Sequence, residues 1–526
     1  MKRPGLILAG VCLPVFLGAL DLTIVSAVLP AVVADLDVPL QTGLDEAAWA
    51  VTGYLLAYAV SMTFMGRISD LWGRRRVYLL CLAIFFLGSW WVAASPGWPA
   101  EIAYRIARVT AGGRPDHSLM ALYALIFGRV VQAFGAGAMV PVSMALAADL
   151  YPPERRALPL GLIGAVDTAG WVLGHLYGGI MVQFFAWPVL FWINLPLIVL
   201  MFGLTVWAFR GLSESRSAVP MDWIGVVWIT LALTELNLGL AAGNAGAAGA
   251  DSGAGISPVP LALALLAFGA FVLHELRAPH PLLNLRLYRQ RNISASSVLN
   301  LIIGFCLMAG LVSVPLFINL AGAQDIGQGA LVSGYLLGAF TIPLALAALP
   351  GGWLTGRIGY RLTTLIGLAI ALSGFGLMTQ WQSGMAVQAV AFFTSGAAPE
   401  GPGLLLMVAG LALAGIGLGL TIAPIGTAVI NGAGESERGI AAAAVIILRL
   451  IGMSLSVSLL TTYGLRRTAE ISAGLLRGVA LTEGARIAAA LLQTVTRVTA
   501  EMAWIAFAAA AAGLIPAVLL RRRDRE

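Results

Sequence analysis

GRISDLWGRR, residues 66 to 75, and GWLTGRIGYR, residues 352 to 361, are two versions of one loop. Gly66, Gly73 and Arg75 recur as Gly352, Gly359 and Arg361, each displaced by 286 residues, while the acidic Asp70 is matched by Gly356. Each copy follows a long apolar run, over 47–65 and 329–350. A repeated loop at equivalent places in two apolar halves predicts an internally duplicated membrane protein.

Composition agrees. Of 526 residues, 59% are hydrophobic and 11% are charged, against roughly a quarter charged in a soluble domain. A bilayer core of about 30 Å needs roughly 20 apolar residues per helix, and such runs recur from Leu6 to Leu520. The predicted fold class is an all-α polytopic membrane protein with fourteen transmembrane helices, the first over 5–34 and the last over 499–520. The 286-residue offset exceeds six helices, so the extra pair is assigned to 223–243 and 258–276. This gives an N-terminal six-helix half (1–210), a two-helix linker (211–292) and a C-terminal six-helix half (293–526). Most of the 31 basic residues, including Arg74 to Arg76 and the Arg521 to Arg525 cluster, then fall on one side. The positive-inside bias predicts both termini in the cytoplasm and a multi-pass protein of the cytoplasmic (inner) membrane. Lys2 and Arg3 precede an apolar run without a cleavage site, which predicts an uncleaved first helix. The net charge of +6 thus reports orientation and gives no sign of a nucleic-acid partner. Cys12, Cys81 and Cys306 lie inside apolar runs as small hydrophobes, and the four histidines lack metal-site spacing.

Several motifs carry a family resemblance. Gly66, Asp70, Gly73, Arg74 and Arg75 match the cytoplasmic loop motif of the major facilitator superfamily, and Arg129-Val-Val-Gln132 matches its fourth-helix motif. GLIGAVDTAGWVLGHLYGG (161–179) resembles its antiporter motif through Gly161, Gly170, Gly174, Gly178 and Gly179, with His175 where the motif has proline. Asp21 in LDLTIVSAVLP resembles the signature of the fourteen-helix drug:proton antiporter branch. Within that branch the chain is similar to mycobacterial-type lipid exporters that move triacylglycerol-like lipids with a periplasmic lipoprotein. The similar stretches are LGALD (17–21), 161–179, LPGGWLTGRIG (349–359), AGIGLGLTIAPI (414–425) and RGIAAAAVIILRLIGM (438–453). The resemblance implies alternating access, a proton gradient in place of any cofactor, a gating role for the 66–75 loop, a lipoprotein partner and a monomeric carrier.

Charges inside the membrane are costly and mark pathways or partners. Counted at about 1.5 Å per residue from the helix ends, Arg129, Asp167 and Arg449 lie near the midplane, and Asp21 lies past the middle of the first helix. Asp21 and Asp167 are the candidate proton-coupling carboxylates, with Arg449 as their movable counter-charge and Arg129 as a fourth member. Glu235 is also deep, in a linker helix, without an obvious basic partner. At 100° per residue, Asp167, Gly174 and Gly178 fall near one line, with Gly170 about 60° away. Glycines four apart admit another backbone, and the resemblance implies that this face lies at the boundary between the halves. His175 lies off the stripe, as a neutral hydrogen-bonding side chain.

Two features lean towards a lipid cargo. The eleventh apolar run continues from Leu362 to Phe393, about 48 Å if helical, beyond a bilayer core. In EIAYRIARVTA (101–111), Ile102, Ile106 and Val109 fall at helical spacing beside Arg105 and Arg108, as in a helix lying on a membrane surface. A broken helix over 362–393 and an ordinary loop over 101–111 fit the two segments equally. The expected function is a proton-coupled antiporter exporting lipids or other hydrophobic or amphiphilic compounds. The main alternative is a multidrug efflux antiporter for hydrophobic cations, and a remote one is a non-transporting membrane receptor. The chain carries no catalytic constellation or phosphate loop, so it does not read as an enzyme.

Overall fold

The computed structural model describes residues 4–38, 44–111, 115–210, 220–245, 257–321, 326–398, 401–475 and 484–521. Among these the architecture is all-helical. In the N-terminal part, α1 (Pro4–Asp35), α2 (Leu44–Trp72) and α3 (Arg74–Ala94) are followed by a short α4 (Trp98–Ala111), then α5 (His117–Gly137), α6 (Met139–Leu150), α7 (Ala157–Phe184) and α8 (Pro188–Ala208). Next come α9 (Trp223–Ala245) and α10 (Pro258–Arg277), at the places expected for the linker pair. The C-terminal part holds α11 (Arg291–Ala321), α12 (Ile326–Ile358), α13 (Tyr360–Met378), α14 (Ser383–Ser395), α15 (Gly403–Gly432), α16 (Arg438–Leu475), α17 (Gly484–Ala512) and α18 (Leu514–Leu519). Twelve segments among the described residues are long and apolar enough to cross a membrane. The chain is therefore a multi-pass membrane protein.

By internal contacts the chain forms two compact units. One comprises Met1–Leu238, Pro258–Leu287 and Val429–Ile447; the other comprises Gly239–Ser257, Tyr288–Ala428 and Leu448–Glu526. The duplication read from the loops is visible in the backbone of each unit. Gly73 and Gly359, which open α3 and α13, both hold a positive φ, 99° and 85°, a region glycine adopts without steric cost. In the first unit a Cβ on Gly88 would stand 2.3 Å from the Gln132 nitrogen, so α3 and α5 touch backbone to backbone. In the second, Gly374, again 286 positions on, presses α13 against the Ala414 nitrogen of α15 at 2.2 Å.

Of the two readings of 362–393, the broken helix holds. The apolar stretch from Leu362 to Phe393 is not a single protruding helix, because α13 ends at Met378 and α14 begins at Ser383. Between them Gln382 is extended, with φ −125° and ψ 149°, and the TQWQSG sequence (379–384) supplies polar side chains and a glycine that favour a turn. The longest helix among the described residues is α16, whose 38 residues span about 57 Å. Arg467 on α16 and Glu501 on α17 bind each other at 2.9 Å, and the Tyr463 hydroxyl donates to the same carboxylate at 2.7 Å.

Candidate functional site

Asp21 on α1 and Arg129 on α5 are fully buried, with no solvent exposure. The Arg129 guanidinium donates to the Asp21 carboxylate at 2.6 Å and to the Asp21 backbone carbonyl at 3.1 Å. It also donates to Gln132 Oε1 at 2.6 Å, and Gln132 Nε2 donates onward to Ser89 Oγ on α3 at 2.8 Å. Asn194 Nδ2 on α8 donates to the other Asp21 oxygen at 3.2 Å. The Tyr54 ring of α2 lies under the guanidinium at 3.9 Å, with its hydroxyl donating to the Gly18 carbonyl at 3.2 Å. Five helices thus converge on one ion pair. Desolvating two charges is expensive, and the cost is met only when geometry is good and the remaining polar atoms are bonded. Sequence reasoning singled out Asp21 and Arg129 but named Arg449 as the counter-charge. The structure instead gives Asp21 the guanidinium of Arg129, and it adds Tyr54, Ser89 and Asn194, which no motif marked. Asn194 stands out in the sequence only as an amide inside the apolar FWINLPL (191–197) run.

Asp167 is buried at 1% exposure on α7, and the glycine stripe beside it packs on α1. A Cβ on Gly170 would stand 2.6 Å from the Phe16 carbonyl oxygen, and one on Gly174 would stand 2.0 Å from Thr23 Oγ1 and 2.2 Å from the Leu20 carbonyl oxygen. Thr23 Oγ1 donates to the Trp171 carbonyl at 2.8 Å. The stripe expected at the boundary between the halves therefore finds its partner within its own unit, flanking the turn of α1 that carries Asp21. Gly161 and Gly178 are also buried, while Gly179 has nothing within 4 Å of its Cβ position. The His175 side chain lies outside the described residues. Arg449, buried on α16 in the second unit, has its backbone carbonyl 2.0 Å from the Cβ position of Gly304 on α11, so α16 closes on α11 much as α7 closes on α1.

The 66–75 loop builds a second polar centre. Asp70, 4% exposed, accepts from the backbone N–H groups of Gly439 and Ile440, each at 3.3 Å, and pairs with Arg74 at 3.4 Å. The carboxylate thus caps the amino end of α16, where unpaired N–H groups and the helix dipole favour an anion. Burial pushes the Asp70 carboxyl up to about 6, against the opposing pull of Arg74, the two N–H groups and Arg67. Arg74 also donates to Asp149, to the Ala145 carbonyl and to the Glu435 carbonyl. Asp149 accepts from Arg438 at 2.8 Å, so one carboxylate joins two arginines. Gly66 and Gly439 pass so closely that a Cβ on Gly439 would meet the Gly66 carbonyl oxygen at 2.6 Å. Arg75, half-buried, takes no part in these bonds. Asp149 and Glu435 escaped sequence reasoning because acids near helix ends carry no distinguishing spacing.

The linker pair reaches the same helix end. Phe271 and Leu282 form a buried apolar cluster with Ile440, and Asn284 Nδ2 donates to Glu437 Oε1 at 3.2 Å. His274 and Asp222 tie α10 to the start of α9 at 2.9 Å.

Duplicated helical halves with ionisable residues buried between apolar spans recur in secondary transporters. The Major Facilitator Superfamily model matches residues 11–457, and the chain belongs to that family. It is 34% identical over 458 residues to a triacylglyceride transporter of Mycolicibacterium smegmatis, covering 86% of this chain and 75% of the relative. It is 33% identical over 473 residues to a triacylglyceride transporter of Mycobacterium tuberculosis, covering 88% and 83%. Among solved structures, the proton:xylose symporter XylE matches with TM-score 0.56 at 13% identity, covering 96% of this chain and 94% of that one. The human organic anion transporter MFSD10 matches with TM-score 0.52 at 17% identity, covering 97% and 100%. These structures share the fold. The family and the transporter-named relatives make the chain a transporter rather than an enzyme.

Proposed function

We propose that this protein is a proton-coupled antiporter that exports lipids of the triacylglycerol class across the cytoplasmic membrane by alternating access. The observation that carries the coupling half is the buried Asp21–Arg129 pair, since an ionisable residue inside a membrane marks an ion or proton pathway by default. Protonation of Asp21 would release Arg129, and the amides of Gln132 and Asn194 are placed to hold either form. Asp167 is the second titrating carboxylate in this proposal, and Arg449 a further coupling residue. The cargo class is supported by the two triacylglyceride transporters at 33–34% identity. Neutralisation of Asp21 by Arg129 weighs against the multidrug alternative, which would use a fixed negative charge to hold a cation.

In this proposal the architecture is six, two and six spans over 1–210, 211–292 and 293–526, with α2 and α7 completing fourteen. Both termini lie in the cytoplasm, the carrier is monomeric, and a periplasmic lipoprotein receives the lipid. Asp70, Arg74 and their partners gate the cytoplasmic side. Reconstitution in liposomes with a pH-sensitive interior dye tests it. Addition of triacylglycerol to loaded vesicles should stimulate proton flux in the parent and not in Asp21→Asn. Flux driven by cationic dyes but not by triacylglycerol would replace the lipid reading with the multidrug one.

A further inference from the structure

Helix α4 takes no part in either polar centre. It joins the end of α3 at Ala94 to the start of α5 at His117, both candidate spans. Its 14 residues reach about 21 Å, too short to cross a bilayer core. It therefore lies at one face, the face opposite the Gly73 turn that opens α3.

At 100° per residue the side chains of α4 sort into three arcs. Ala100, Ala103 and Ala107 fall together, and Ala100 is buried in one apolar cluster with Val92, Ala93, Ala121 and Leu122; this arc is the packed one. Trp98, Val109, Ile102 and Ile106 fall on the opposite side within about 80°. All four are exposed, Ile106 at 59% and Val109 at 85%. Glu101, Arg105 and Arg108 fill the third arc. Arg105 is held by Glu101 at 2.9 Å, while Arg108 is exposed and has no partner among the described residues.

The bulky arc is continuous with exposed apolar surface on two candidate spans. Trp98 packs on Trp90 and Trp91 of α3, with ring centroids 5.4 and 5.0 Å apart, and Trp91 packs on Phe127 of α5 at 5.2 Å. Leu87, Trp90 and Phe127 are exposed on those spans. A tryptophan cluster at the end of a span marks the headgroup level, where an amphipathic ring meets both media. A helix with bulky apolar residues on one side and arginines beside them inserts its apolar side at the boundary of headgroups and acyl chains.

We propose that α4 is a membrane-surface helix, with the Trp98, Ile102, Ile106 and Val109 arc inserted into the phospholipid leaflet and the Arg108 guanidinium on a headgroup phosphodiester. The inference is independent of cargo and of proton coupling.

Cys12, Cys81 and Cys306 are buried, so an introduced cysteine is the reactive one. Spin labels on Ile106→Cys, Val109→Cys and Arg108→Cys, in the full chain reconstituted into phosphatidylethanolamine and phosphatidylglycerol, report collisions with oxygen and with a water-soluble nickel chelate. The oxygen-to-nickel ratio at positions 106 and 109 should exceed that at 108 several-fold. Equal ratios at the three positions would place the arc in water and overturn the proposal. Protection of 106 and 109 from both reagents would put a protein or a second copy there and overturn it equally. For the headgroup contact, native mass spectrometry should show less phosphatidylglycerol retained by Arg108→Gln and parental retention by Arg108→Lys, both with parental Tm. Unchanged retention in Arg108→Gln removes Arg108 from the proposal.

Discussion

The Arg129 guanidinium holds the Asp21 carboxylate at 2.6 Å with neither side chain exposed to solvent. In this arrangement each charge compensates the other. Arg129→Gln should therefore destabilise the protein by about 3–5 kcal/mol, the cost of an uncompensated buried charge. Combining it with Asp21→Asn should recover much of that loss, because no charge then remains. Thermal unfolding in detergent for both single variants and the double variant measures the coupling, and additive losses would show that the pair is not energetically joined.

The glycine stripe gives a comparison inside one helix. A Cβ at Gly174 would overlap Thr23 Oγ1 and the Leu20 carbonyl, whereas a Cβ at Gly179 meets nothing within 4 Å. Gly174→Ala should cost about 1–3 kcal/mol through overpacking. Gly179→Ala should be neutral or gain up to about 1 kcal/mol in helix propensity. If Gly179→Ala keeps full stability but loses transport, that glycine serves a conformation in which its face is covered.

Asp70 makes the cytoplasmic centre sensitive to pH. Its folded value of about 6 lies above the ordinary 3.8, so folding of this region takes up a proton. The contribution is fully present below the unfolded value and is lost as pH rises through about 6. Between pH 5 and pH 7 the parent should lose about 1 kcal/mol from this site, at 1.36 kcal/mol per pKa unit. Asp70→Asn should lose that part of the pH dependence while keeping an acceptor oxygen for one of the two N–H groups, Gly439 or Ile440. Unfolding temperatures of both proteins across this range check it.

Asp149 is the carboxylate shared by Arg74 and Arg438. Asp149→Ala should impair export at least as much as Asp70→Asn, since two largely buried guanidinium groups lose a charged acceptor, each such bond contributing roughly 1.5–3 kcal/mol. Asn284→Ala, which removes a neutral-donor bond to Glu437, should cost less. Export assays in vesicles rank the three, and a larger defect in Asn284→Ala would make the linker, rather than the 66–75 loop, the main restraint on α16.

What could be read from the chain follows from what is local. Apolar runs of bilayer length, two glycine loops 286 residues apart and four charges within apolar runs gave a duplicated helical transporter. They also picked out Asp21, Arg129, Asp70 and Arg74. Hydrophobicity alone left a single helix of about 48 Å from Leu362 and a broken one equal, because it does not register a turn that TQWQSG can make while staying among apolar neighbours. The short helix at 98–111 was legible as an amphipathic pattern, but its packed side was not.

Sequence alone determined the medium, the duplication and the residue types that must be buried, because the bilayer imposes length and polarity on every span. Tertiary structure decided the pairing. Nothing within α1 or α5 says that Asp21 meets Arg129, that Asn194 completes the carboxylate's contacts, or that Asp70 caps a helix nearly 370 positions away. Those contacts depend on how closely the helices approach, at the α7 glycines against α1 and at the Gly88 contact of α3 with α5, and such approach is a property of packed surfaces rather than of any one segment.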